Sequence, residues 1–266
     1  MKRAYDFSPR INMLQFRVLF ARYLKQTVSN PWVIIPMFLQ APVLLLISSF
    51  VYEEGTFYEQ WAHPTSANCM PFLLVLSAAL MGLLNSYREI CKERDILRRE
   101  VFGGLDVTAY VGSKVTVQAI AGGVQSIIVA FGSLTFIDYN MARPGYSLFF
   151  LLAAVFLTNY AMTAVGLLVS ALLKKSESAI LPIIVIIILQ VVFAGALIEF
   201  EMPVKVIYYF TPTMYGTSVV GNVMGLETRL VYENNIYFCL AMLIVIATVC
   251  HLLTVIKLKR DYRTRD

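Results

Sequence analysis

Six stretches of the chain contain no Asp, Glu, Lys or Arg: approximately Pro31–Tyr52, Ala67–Tyr87, Val115–Ile137, Tyr146–Leu173, Ser178–Ile198 and Asn234–Ile256. Each is long enough to cross a bilayer core, which takes about 20 helical residues. In lipid every backbone amide must be satisfied within the segment, so runs of this length form helices rather than isolated strands. Composition agrees: 58% of the residues are hydrophobic and 15% charged, against about 25% charged in a typical soluble domain. The expected class is an all-α integral membrane protein with six transmembrane helices.

The basic residues decide orientation. The segment before the first run holds Lys2, Arg3, Arg10, Arg17, Arg22 and Lys25, and the second connection holds Arg88, Lys92, Arg94, Arg98, Arg99 and Lys114. With Lys174 and Lys175 in the fourth connection and Lys257, Lys259, Arg260, Arg263 and Arg265 in the tail, alternate sides carry nineteen Lys and Arg against three. The positive-inside rule then puts both termini in the cytoplasm. A net charge of +5, which in a soluble chain would suggest nucleic acid, is here a topology signal. The expected organisation is a cytoplasmic or interfacial segment over 1–30, a transmembrane domain over 31–256 and a basic cytoplasmic tail over 257–266. Within the domain lie a charged cytoplasmic loop, 88–114, and an outer loop, 199–233. Met13, Phe16, Phe20, Tyr23 and Leu24 share one side of a helical wheel. They predict an amphipathic helix on the inner membrane surface, ending near Asn30-Pro31.

Catalytic chemistry is missing. His63 and His251 are the two histidines, and Cys69, Cys91, Cys239 and Cys250 have neither metal-ligand nor disulfide-framework spacing. Val111-Gly112-Ser113-Lys114 resembles the end of a phosphate-binding loop, but the earlier Gly and the following Ser/Thr are absent. No Asp, Glu, Lys or Arg lies in the six runs, and ion-coupled carriers usually keep one there. Energy for transport would have to come from elsewhere. A Gly/Tyr selectivity-filter segment is also missing.

One stretch departs from the rest. From Ser86 to Glu100, SYREICKERDILRRE, nine of fifteen residues are charged. Ile90, Ile96, Leu97 and Val101 recur at helical period, Asp95 can pair with Arg98 and Arg99, and Gly103-Gly104 supply a stop. A short charged helix on the cytoplasmic side follows. Its mixed charge suits either a protein docking surface or a solvated extension.

Glu93-Arg94-Asp95-Ile96-Leu97-Arg98-Arg99-Glu100, followed by Gly103, Ala109-Tyr110 and Ser113-Lys114, resembles the E-R-x-I-x-x-R-E…G…A-Y…S-K segment of type-2 ABC exporter permeases, especially the G subfamily. Phe193-Ala194-Gly195-Ala196-Leu197-Ile198, Met202-Pro203, Phe210-Thr211-Pro212-Thr213-Met214-Tyr215-Gly216 and Asn222-Val223-Met224-Gly225 resemble that family's last outer loop. Met214 replaces the family's usual basic residue, the outer loop has no Cys and no Asn-x-Ser/Thr sequon occurs.

The resemblance implies an N-terminal amphipathic connecting helix, six spans and a cytoplasmic coupling helix at about Ile90–Val101. It implies Glu93, Arg94, Arg98, Arg99 and Glu100 as ATPase contacts or the network that holds them. It places the substrate path between the second and fifth spans, with Phe72, Leu76, Ala79, Ile187, Gln190, Val191 and Ala194 as candidates and Ala196 and Leu197 at the outer gate. The segment Met202–Gly225 is expected to form short helices dipping into the outer leaflet. No nucleotide-binding segment occurs in these 266 residues. The implied partners are therefore an ABC ATPase subunit on another chain, which would carry ATP and Mg, and a second permease subunit, identical or paralogous, among membrane lipids. The implied function is the permease of an ATP-driven exporter of a hydrophobic or amphipathic substrate (lipid, drug or peptide), in a bacterial cytoplasmic membrane. Export of a polysaccharide or glycolipid, or a non-transporting anchor that recruits a cytoplasmic partner, are the alternatives.

Overall fold

The computed structural model describes residues 12–52, 57, 64–139, 144–175, 177–194, 204–226 and 235–263. Among them the regular structure is helical: α1 Met13–Val28, α2 Pro31–Val51, α3 Pro64–Ser86, α4 Arg94–Phe102, α5 Val107–Ser133, α6 Pro144–Leu172, α7 Ile180–Val192, α8 Pro212–Val223 and α9 Ile236–Arg263, with 3₁₀ turns at Cys91–Glu93, Glu177–Ala179 and Val204–Phe210. Five helices are long and apolar enough to cross a membrane, namely α2, α3, α5, α6 and α9. The fifth apolar run behaves differently. Its helix α7 has 13 residues, about 20 Å at the helical rise per residue, which is short of a bilayer core. Residues 195–198, which complete that run, lie outside the described residues.

Local chemistry sets the boundaries. Asn12 caps α1 by accepting from the Gln15 amide. Asn30 caps α2 by accepting from Trp32, and Pro31 fills the first helical position, where no amide hydrogen is needed. Gly103 and Gly104 end α4, the latter with φ +96°. Asp106 caps α5 through the Thr108 amide at 2.9 Å. Consequently α5 starts seven residues before Lys114, the end of the predicted loop, and carries that lysine at the start of its third turn. The last helix, α9, runs unbroken through Lys257, Lys259 and Arg260 to Arg263, so the basic segment continues the helix.

The bundle is centred on α6, which packs against α3, α9, α5 and α8. Lipid tails are as apolar as Leu, so membrane helices associate through close backbone approach and polar contacts rather than by escaping water. Gly82 of α3 is a point of such approach: a Cβ there would lie 2.1 Å from the Asn159 carbonyl oxygen of α6. Around it runs a buried amide cluster. Asn85 donates to Gln125 Oε1 at 3.0 Å, Asn159 donates to the same oxygen at 3.5 Å, and Gln125 Nε2 donates to the Met37 carbonyl. Gln125 of α5 therefore joins α2, α3 and α6. These uncharged amides escape a search for charged residues.

The segment expected as the long outer loop contains short helices where it is described, the 3₁₀ turn Val204–Phe210 and α8. Every residue of α8 from Pro212 to Gly221 is buried. Gly216 faces Thr158 of α6 and Val75 of α3, each near the middle of its helix, so α8 enters the bundle.

One side of α1 packs inward, and it differs from the expected set at Met13 and Leu19. Leu19 and Tyr23 are its buried residues, with Phe16, Phe20 and Leu24 packed beside them, while Met13 is exposed. This face meets α5 and the connection before it: Tyr23 stands edge-on to Tyr110, their ring centres 5.9 Å apart. Gln15 accepts from the Asp106 amide and donates to the Gly104 carbonyl.

Candidate functional site

The charged stretch forms a 3₁₀ turn and α4, as the spacing predicts. Its inner face is apolar: Leu97 and Val101 are buried in one cluster with Leu19, Tyr23, Tyr110 and Leu258. Along the edges, four of the charged residues reach other helices. Glu93 pairs with Lys114 of α5 at 2.9 Å, and Glu89 takes the same ammonium at 3.0 Å and also pairs with Lys92. Tyr110 donates to Glu93 at 3.4 Å. Arg94 donates to the Leu173 carbonyl beyond the end of α6 at 2.5 Å and to Asp261 of α9 at 2.5 Å. Glu100 receives both guanidinium nitrogens of Arg22 from α1, at 2.6 and 3.1 Å. The amides of Ile90 and Cys91 donate to Ser170 Oγ of α6 at 2.9 and 3.0 Å. α4 and the turn before it are thus tied by directional bonds to α1, α5, α6 and α9.

Lys114 is the centre of this arrangement. Its side chain is 4% exposed, and a buried ammonium is tolerated only with partners. It has two carboxylates, and its Nζ lies 3.9 Å from the centre of the Tyr23 ring. Burial, and next the Glu93 carboxylate, push the Tyr23 phenol up, so it stays neutral beneath the ammonium. The hydrogen bond to Glu100 likewise raises the Arg22 pKa and keeps the guanidinium charged.

The outer face of α4 is free. Asp95, Ile96, Arg98, Arg99 and Phe102 are exposed, with Ile96 48% and Phe102 62% accessible. Among the described residues no ion pair joins Asp95 to Arg98 or Arg99, contrary to the pairing that the spacing allows. Instead the Arg98 guanidinium lies over the Phe102 ring at 5.9 Å. The five predicted coupling residues therefore divide. Glu93, Arg94 and Glu100 bind the rest of the chain, and Arg98 and Arg99 face outward. Sequence reasoning missed Arg22, Glu89, Lys114 and Asp261 as members. Two signals were available: Glu89 and Glu93 lie four residues apart on one helical face, and Lys114 is a lone cation at the start of an apolar run.

The predicted path residues fall on the contact of α3 with α7. Phe72 and Ala194 are buried together, with Leu76 and Val191 packed beside them. Ala79 belongs to the neighbouring cluster, with Ile187 at its edge. Leu76, Ile187 and Val191 remain partly exposed. Gln190 turns toward α8: the Thr213 amide donates to its Oε1 at 3.2 Å, and the Thr213 hydroxyl bonds to Oε1 at 2.9 Å and to the Gln190 carbonyl at 3.0 Å. This is the partner that a buried amide requires. Ala196 and Leu197 lie outside the described residues. His251 packs edge-on to Tyr160, with ring centres 5.3 Å apart, and neither ring nitrogen has a hydrogen-bond partner among the described residues. Among the described residues no group of three or more His, Cys, Asp or Glu could hold a metal ion, and the cysteines are free.

A family model described as "ABC-2 type transporter" matches residues 14–225. The chain is 33% identical over 153 residues to the "ABC transporter ATP-binding/permease protein Rv1747" of Mycobacterium tuberculosis. That match takes in 54% of this chain and 17% of the relative's own length.

Proposed function

Because the chain belongs to the ABC-2 type transporter family, a family of multi-pass membrane permeases, we propose that it is the membrane subunit of an ATP-driven exporter of hydrophobic or amphipathic molecules. The engine is an ABC ATPase carrying ATP and Mg, which lies outside these 266 residues and docks on α4. The relative's name joins ATP-binding and permease functions, which fits such a pairing. A second permease chain completes the path. The run containing α7 supplies the sixth crossing, and both termini are cytoplasmic.

The observation that carries this reading is the two-sidedness of α4. Its inner edge is bound through Glu93, Arg94 and Glu100 to four helices, while Asp95, Ile96, Arg98, Arg99 and Phe102 stay open. A helix held this firmly on one side transmits a push as a rigid-body shift rather than absorbing it. Its open face combines an apolar pair with both signs of charge, as a specific protein contact does. Within the α3–α7 contact, Leu76, Ile187 and Val191 are the path residues that stay partly exposed, which leaves them available to a second chain.

Two measurements test the reading. The chain is co-purified with the ATPase, and Arg98→Cys or Phe102→Cys, in a background with the four native cysteines replaced by Ser, is reacted with a membrane-impermeant maleimide. Inside-only labelling that the ATPase suppresses supports docking on α4; labelling from outside, or unchanged labelling in the complex, sinks it. In vesicles, ATP-dependent movement of a fluorescent lipid should fall when Leu76 and Val191 are changed to Trp.

A further inference from the structure

A second site lies apart from the α3–α7 contact. At the α1 end of the bundle, α1, the start of α2, the end of α3 and the start of α5 enclose an open cleft of about 480 Å³. The volume falls within the range of small-molecule sites. Its chemistry is divided. Val33, Pro36, Met37, Leu84 and Val117 form an apolar wall. Trp32, 87% exposed, stands at the rim, a position tryptophan favours at the membrane surface. Arg88, Lys92 and Lys114 give the lining three cations to one carboxylate, Glu89. Lys92 and Lys114 are both engaged with Glu89. Arg88 is exposed, lies over the Tyr87 ring at 4.9 Å and has no ion-pair partner among the described residues.

The cleft also holds an unfilled acceptor. Gln118 is 8% exposed, and its Nε2 donates to the Asn85 carbonyl at 3.2 Å. A carbonyl only accepts, so this bond fixes which end of the amide is nitrogen. Gln118 lines the cleft, and its Oε1 has no donor among the described residues. Gln40 also lines the cleft, but its Oε1 is buried away from it. The Gln118 oxygen is therefore the acceptor open to a ligand. A ligand that fits must bring an anion for Arg88, a hydrogen-bond donor for the Gln118 oxygen and apolar chains for the α2–α3 side.

We propose that this cleft binds the headgroup of a phosphodiester lipid that carries its own hydroxyl donors, of the phosphatidylglycerol type. The phosphate pairs with Arg88, a headgroup hydroxyl donates to Gln118, and the acyl chains leave along Val33, Pro36 and Leu84. The site requires no transport and stands independently of the exporter reading.

The test uses the full chain in detergent, with Trp61→Phe so that Trp32 alone reports. Short-chain phosphatidylglycerol is titrated against phosphatidylcholine of the same chains, which lacks donors, and against soluble glycerophosphate. Saturable change in Trp32 emission is expected for phosphatidylglycerol, with phosphatidylcholine and glycerophosphate at least about tenfold weaker. Arg88→Gln should weaken phosphatidylglycerol about tenfold, the worth of one charge-assisted hydrogen bond. Gln118→Leu should bring phosphatidylglycerol down to the phosphatidylcholine level. Arg17→Gln, an exposed cation outside the cleft, should change nothing. Equal binding of the two lipids, or no response to both Arg88→Gln and Gln118→Leu in monodisperse protein, overturns the proposal. Glycerophosphate binding as tightly as the lipid overturns the lipid as its source.

Discussion

Replacing Lys114 with Met removes a buried charge while keeping most of its volume. In the wild-type chain that ammonium lies 3.0 Å from Glu89 and 2.9 Å from Glu93, whose side chains are 17% and 13% exposed. Breaking a buried ion pair from one side costs about 3–5 kcal/mol, because the remaining charge is left uncompensated. Glu89 retains Lys92, which is 38% exposed. Glu93 retains the Tyr110 hydroxyl at 3.4 Å. The lower part of the range applies, about 3 kcal/mol. Much of that cost belongs to the orphaned Glu93 carboxylate. Glu93→Gln should therefore destabilise the wild type yet restore about 2 kcal/mol in the Lys114→Met background. Reversible denaturant unfolding of the four chains, followed by circular dichroism, measures the cycle. Hydrogen exchange across 94–102 should rise in Lys114→Met, since α4 loses its tie to α5. A cost under about 1 kcal/mol, or effects that simply add, would refute the claim that one buried lysine holds this junction together.

Three other outcomes follow from the packing. Arg22 and Glu100 are 43% and 29% exposed, so solvent screens the pair and Glu100→Ala should cost no more than about 1 kcal/mol of stability. ATP-driven transport should nevertheless fall, and Arg22→Glu with Glu100→Arg should recover it in vesicle assays. Gly82→Ala places a Cβ 2.1 Å from the Asn159 carbonyl oxygen and should cost about 1–3 kcal/mol by overpacking. Gly145→Ala, where nothing lies within 4 Å, should be neutral or slightly stabilising in the same melts. Gln190→Leu should cost about 1–3 kcal/mol, because it strips the buried Thr213 amide and hydroxyl of their shared oxygen. Thr213→Val should cost less once Gln190 is gone, a coupling that thermal unfolding of the double variant reads directly.

Much of this molecule was legible as a string. Apolar runs without charge predicted α2, α3, α5, α6 and α9 to within a few residues at most boundaries, because a bilayer sets a minimum length that leaves few alternatives. The start of α5 was missed for an identifiable reason. A lysine at position 114 reads as loop when its partners are unknown, and here Glu89 and Glu93 allow it inside a helix. The expected face of α1 was nearly right, but Met13 sits outside it and Leu19 inside. The periodicity identifies a stripe; what the stripe meets depends on the curvature and placement of α5.

Sequence alone determined the membrane class, the short charged helix and its Gly stop, since these follow from length, charge and backbone chemistry within a few residues. It could not determine which face of each span is core and which is lipid, because both environments select the same apolar side chains. Nor could it pair Arg94 with Asp261, 167 residues away, or Arg22 with Glu100, 78 residues away. A buried or half-buried charge is tolerable only where the folded chain delivers its counter-charge, and that delivery is a property of the assembled bundle.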